Sequence, residues 1–246
     1  GATGKISPFT AEKANRVSNA VRPFNTSSRA AGAPVIARIV RNRGNYMYKI
    51  GLTGSIATGK STVTGMLRDL GAKVIDCDRI AHDVVDVGTE GVRRVAAAFG
   101  PEAVGPGGAM NREYMGRLVF GDKAAKKRLE EILFPLIYRR IDDDIETLEK
   151  AGSRSAVFLD MPLLYEVKYD SYVDEVWLVY VPYEVQLARL VKRDGCSEEE
   201  AKRRIHSQLP AAGKKALADV VIDNSGTPEE TKTQVLFQWR RLQSRI

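Results

Sequence analysis

Residues 51–62 read GLTGSIATGKST, in which Gly54, Gly59, Lys60 and Ser61 satisfy the spacing G-x-x-x-x-G-K-S/T. No other feature constrains the fold so tightly, because the chain must bring a strand into this loop and carry a helix out of it. Both flanks comply. Tyr48, Ile50 and Leu52 form an apolar run ahead of the loop; Val63, Met66, Leu67 and Leu70 recur at helical spacing behind it, with Gly71 as the stop. Glycines at both ends let the backbone curl so that successive N–H groups point inward, and the helix N-terminus adds partial positive charge. Anionic phosphates fit such a cradle. The candidate contacts are therefore Gly54, Ser55, Ile56, Ala57, Thr58, Gly59, Lys60, Ser61 and Thr62. Lys60 would reach the β/γ-phosphates and the Ser61 hydroxyl would ligate Mg²⁺. The plainer alternative is a strand-to-helix turn with a surface lysine.

Four further apolar runs suit buried parallel strands: AKVIDCD (72–78), SAVFLDMP (155–162), DEVWLVYVP (174–182) and ADVVIDN (218–224). With the first strand they predict a five-stranded, parallel, doubly wound α/β core over 47–80 and 151–246. Residues 81–150 lack a convincing strand but contain amphipathic stretches such as REYMGRLVF, which predicts a helical insertion and a candidate acceptor-binding domain. Within the core, residues 189–213 pack charge into helices and read as a mobile, Arg-rich lid, with Ser197 and Glu200 as a capping box. Thr227, Pro228 and Glu230 open a closing helix.

The carboxylates suggest chemistry. Asp76 and Asp78 are expected at the C-terminal end of the second strand, two apart and so on one side, at the edge where open α/β sheets bind ligands. Phosphoryl transfer needs a group there to orient an acceptor hydroxyl and take its proton. Alternatively, both merely cap the next helix. Asp160, ending VFLD, resembles a Walker-B carboxylate that holds Mg²⁺ directly or through water, or else it is a strand-end turn residue. Arg189 and Arg193 lie four apart on one helix face, where lid closure could bring them onto phosphoryl oxygens; a solvated charge run is the alternative.

The formal net charge of +7 hints at nucleic acid until its location is read. Residues 1–46 carry eight Lys or Arg against the single acid Glu12, which leaves thirty basic and thirty acidic residues from 47 onward. A nucleic-acid binder needs its basic surface on the folded domain, so that class is set aside. The basic extension reads as disordered, either as an organellar transit peptide or as sequence foreign to a protein whose first residue is Met47. The second is preferred, because MYKIGLTG opens directly on the first strand. No stretch approaches 18 apolar residues, so no membrane span is expected and a cytoplasmic location is assigned. Cys77, Cys196, His82 and His206 fall in no ligand or disulfide spacing.

In order and spacing, GLTGSIATGKST, VIDCDRIAHDV, NREYMGRLVF, FLDMPLLYE, VQLARLVKRDG, SQLP and ADVVIDNSG together resemble the dephospho-CoA kinase family over about 48–226. The resemblance implies a P-loop kinase core with a helical CoA domain and a lid. It also implies ATP-dependent, Mg²⁺-assisted phosphorylation of the ribose 3′-hydroxyl of dephospho-CoA, the last step of coenzyme A synthesis. On this likeness Thr53 and the loop match the ATP side, Asp78 the acidic residue at the acceptor ribose, and Arg189 or Arg193 the lid arginine. Asp160, Pro162, Leu163 and Leu164 match D-x-P-L-L, and Asn224 ends the I-D-N segment. Phe134 precedes Pro135 where many members carry His, so no acceptor contact is assigned in LFPLIYRR. Ser55 replaces a common second glycine among the variable loop positions. A GTPase would need N-K-x-D and a D-x-x-G after the third strand, and Asp160 is followed instead by Met161, Pro162 and Leu163. Another small-molecule or nucleoside monophosphate kinase would share the loop and lid, and stays as the alternative.

Overall fold

The computed structural model describes residues 46–152 and 156–246, so the readings made for the basic extension lie outside the described residues, Tyr46 apart. Two compact units emerge: 46–75 with 148–246, built on a sheet, and 76–147, which is helical.

In the sheet unit, β1 (Tyr48–Gly54) leads through the loop into α1 (Lys60–Asp69), and β2 (Lys73–Asp76) follows. After the helical unit come β3 (Ala156–Asp160), β4 (Glu175–Tyr180), α6 (Tyr183–Asp194), α7 (Glu198–His206), α8 (Ala211–Leu217), β5 (Val220–Asp223) and α9 (Pro228–Gln243). The strand order is β2-β3-β1-β4-β5, with β1 parallel to both β3 and β4, and β4 parallel to β5. The strands β2 to β5 fall within the predicted runs, and β1 continues past its run to Gly54, the first glycine of the motif. β3 is buried at every position and β4 at all but its last, as expected where helices cover both faces of a parallel sheet. On one side Phe158 meets Trp177 edge-on at 5.1 Å between ring centroids, within a core that includes Leu67, Val235 and Trp239. Such aromatic pairs add about 0.5–1.5 kcal/mol beyond their buried area.

Glu175 interrupts the apolar run of β4 and is nonetheless buried. Its carboxylate accepts hydrogen bonds from Tyr48 Oη (3.2 Å) and Trp177 Nε1 (2.9 Å) and pairs with Arg241 and Arg245. Burial and that neighbouring negative charge push the Tyr48 phenol well above its ordinary range. A buried carboxylate is tolerable only with this many donors.

The helical unit contains α2 (Cys77–Asp83), α3 (Glu90–Phe99), α4 (Arg112–Gly121) and most of α5 (Lys123–Lys150). Thr89 and Asn111 cap α3 and α4 through bonds from Val92 N (3.3 Å) and Tyr114 N (3.0 Å). In α5, Leu129, Leu133, Ile137, Ile141 and Ile145 recur every four residues as one buried stripe, and the helix runs through Pro135. Its extended pairing among the described residues is a single antiparallel bridge, Val104 with Met110. The caps read from sequence are present at Ser197, which accepts from Glu200 N, and at Thr227, where Glu230 completes the reciprocal box. Among the described residues no helix is long and apolar enough to cross a membrane.

Candidate active site

The loop between β1 and α1 is held from several directions. Gly59 occupies the N-cap position of α1 with φ +82°, and it has no side chain to bond the first-turn N–H groups. No acidic residue stands in that turn, so the donors and partial positive charge of a ten-residue helix are left for an anion. Lys60 and Ser61 open the helix, Ser61 and Thr62 exposed. The Lys60 ammonium pairs with the Asp160 carboxylate, their side chains only 17% and 11% exposed. Thr64 Oγ1 donates to the other Asp160 oxygen at 2.8 Å. The ends of β1 and β3, paired from Tyr48 with Ala156 to Leu52 with Asp160, bring this lysine and this carboxylate together.

Other candidate contacts spend their side chains on the protein. Thr53 is fully buried and donates through Oγ1 to the Pro162 carbonyl at 3.0 Å. Thr58 Oγ1 bonds the Ser55 carbonyl at 2.9 Å. Asn224, just past β5, donates from Nδ2 to the Thr58 carbonyl at 2.8 Å and accepts from Thr231 Oγ1 at 2.9 Å. Ser55 is buried, and its hydroxyl finds no partner among the described residues. The side chains of Ile56 and Ala57 pack against Leu187, Leu190, Ala201 and Ile205, a small core between α6 and α7. Ile56 N and Thr58 N are engaged within the protein, so the loop offers a ligand its remaining backbone N–H groups, Lys60 and the Ser61 and Thr62 hydroxyls, while Thr53, Thr58 and Asn224 shape it from behind. No group of three or more His, Cys, Asp or Glu able to hold a metal occurs among the described residues. Ser61 with Asp160 suits instead a hard cation whose remaining ligands are phosphate oxygens and water.

The two acidic residues after β2 do not share a strand face. The strand ends at Asp76, whose Oδ1 accepts from Arg79 N at 2.9 Å and caps α2, and Asp78 stands in the first turn of that helix. The alternation argument fails here because the chain turns helical two residues before the end of the apolar run; for Asp76 the capping alternative is what the chain adopts.

Arg189 and Arg193 separate. Arg193 donates to Asp194 through Nε at 2.7 Å, and Arg204 pairs with the same carboxylate at 2.6 Å. The bond from Arg193 foremost holds the Asp194 carboxyl down to about 2. Arg189, half-buried on α6, has no ion pair among the described residues. Sequence reasoning did not assign Gln186, Gln208, Thr231 or the buried pair Lys214–Glu166 (2.7 Å) any role. The partners of Gln186, Gln208 and the Lys214–Glu166 pair lie far away in the chain, so no local spacing could have found them, whereas Thr231 meets Asn224 only seven residues back.

A parallel α/β sheet with this loop, and a lysine at the head of the following helix paired with the carboxylate that ends β3, defines a P-loop kinase. The sequence model of the dephospho-CoA kinase family matches residues 48–230, and the chain belongs to that family. The chain is 47% identical over 191 residues to a dephospho-CoA kinase from Symbiobacterium thermophilum, covering 78% of this chain and 80% of that one. A second from Geobacillus kaustophilus is 44% identical over 197 residues, with 79% and 98% covered. Among solved structures, the dephospho-CoA kinase from Campylobacter jejuni superposes with a TM-score of 0.61 at 30% identity, covering 80% of this chain and 97% of that one.

Proposed function

We propose that this protein transfers the γ-phosphoryl group of ATP to the ribose 3′-hydroxyl of dephospho-CoA, giving coenzyme A and ADP in the cytoplasm. The observation that carries this reading is the Lys60–Asp160 pair beside the uncapped N-terminus of α1, in a chain of this family. The acceptor oxygen forms the new bond to Pγ while the bond from Pγ to the bridging β-oxygen breaks, and ADP leaves. The α1 N–H groups and Lys60 bear the growing negative charge on the β/γ-phosphates. Ser61 and Asp160 would hold Mg²⁺, which when bound adds positive charge beside the phosphates. Asp78 accepts the acceptor's proton, and Arg189 meets the transferring phosphoryl oxygens; Arg193 braces the lid through Asp194. Thr53 and Asn224 serve ATP by holding the loop.

The test is ADP release by purified protein with ATP and Mg²⁺, comparing dephospho-CoA with AMP, CMP and adenosine as acceptors. We expect dephospho-CoA to be preferred by kcat/KM. Preference for AMP or CMP would identify a nucleoside monophosphate kinase instead.

A further inference from the structure

The peptide groups flanking Ile56, the third residue of the phosphate loop, are gripped by two glutamines, Gln186 three residues ahead of the segment read as the lid and Gln208 within it. Ile56 N donates to Gln208 Oε1 at 2.9 Å, and the Ile56 carbonyl accepts from Gln186 Nε2 at 2.8 Å. Gln186 is buried on α6; Gln208 lies two residues beyond the end of α7. The next loop residue, Ala57, is held at φ +60°, a conformation costly for a residue with a Cβ, and it packs with Ile56 into the lid's own core. Past Gln208, Leu209 N donates to Glu166 Oε1 at 3.1 Å. Lys214 Nζ bonds the same carboxylate and reaches the Pro162 carbonyl at 3.5 Å, and that carbonyl also accepts from Thr53, which precedes the loop's first glycine. The base of the lid is pinned to the loop before and within its curl.

We propose that Gln208 is a positioning residue that links loop and lid, so that phosphate binding in the loop orders α6 and α7. Its oxygen engages the Ile56 N–H, as the Ser55 carbonyl engages that of Thr58 at 3.3 Å. The inference rests on the phosphate-binding role of the loop, and the experiment separates the two.

The test uses the full chain with Mg²⁺-ADP as probe, measuring affinity by calorimetry and hydrogen exchange of the segment 195–207. In the unsubstituted protein ADP should slow exchange in that segment. Gln208→Met, of similar length but without the acceptor oxygen, should weaken ADP about tenfold and abolish the lid protection at saturating ADP, with KM for dephospho-CoA within about twofold. Gln208→Glu, which restores an acceptor oxygen, should restore the lid protection at saturating ADP. Should Gln208→Met lose its cooperative melt, Gln208→Asn, one methylene short of Ile56, is expected to give the same loss. If the unsubstituted protein fails to bind ADP, the phosphate-binding reading falls and this inference with it. If ADP binds and protects the lid equally in the unsubstituted protein and in a folded Met or Asn variant, Gln208 does not link them.

Discussion

Gly59→Ala would test how the loop is held. At φ +82° an alanine would cost about 1–2 kcal/mol from contact between its Cβ and the backbone. That Cβ would stand 2.1 Å from Asn224 Nδ2, so the amide must withdraw from the Thr58 carbonyl it bonds at 2.8 Å. A buried polar group left unsatisfied costs about 1–3 kcal/mol. Together these give roughly 2–5 kcal/mol, and at about 2–4 °C per kcal/mol for a chain of this size the melting temperature should fall by roughly 4–20 °C. The assay is a double-mutant cycle read by thermal and urea denaturation. With Asn224→Ala in place, Gly59→Ala should cost only its backbone strain, about 1–2 kcal/mol, so the two changes would be less than additive. Strict additivity, or a loss below about 0.5 kcal/mol for Gly59→Ala alone, would refute the claim that Asn224 and Gly59 share one tight contact.

Three further outcomes are expected. Asp78→Asn should lower kcat and kcat/KM together by about 10²-fold or more while ADP affinity holds, as for a base acting in the transition state; loss of nucleotide affinity with normal kcat would assign the carboxylate elsewhere. Arg189→Ala should reduce kcat by about 10²–10³-fold, whereas Arg193→Ala, breaking an exposed pair with Asp194, should change it less than about fivefold; a reversed ranking would exchange their roles. Glu130 is half-buried, and burial raises its carboxyl from 4.5 to about 7 against the opposing pull of Lys126. The folded state binds that proton more tightly, so its stabilising share is full below pH 4.5 and lost as pH rises through about 7. After discounting for solvent, Glu130→Gln should gain about 1 kcal/mol at pH 8 over its effect at pH 5, and equal melting shifts at both pH values would contradict this.

Much of the architecture was legible in the chain because it follows from local pattern. Continuous apolar runs marked β3 and β4, since strands covered on both faces have no polar side to alternate. The helical caps at Ser197 and Thr227 were readable for the same reason, being bonds made within four residues. The end of β2 was not: VIDCD carries apolar residues on both sides of the true boundary, and the bond from Arg79 N to Asp76 decided where the helix began.

By itself, then, the sequence determined that a loop of G-x-x-x-x-G-K-S/T spacing sits between a strand and a helix and that five apolar runs supply the strands of the sheet. Only the tertiary structure decided the strand order, which sets the end of β3 beside that of β1 and Asp160 beside Lys60. It alone showed that Asn224 braces Thr58 across 166 residues and that Gln208 grips Ile56 across 152. It also distinguished Arg193, tied to Asp194, from Arg189. The physical reason is range. Propensity, capping and loop chemistry act over a few residues and are written in spacing, whereas which distant amide meets which carbonyl depends on how whole elements pack and is encoded in no single segment.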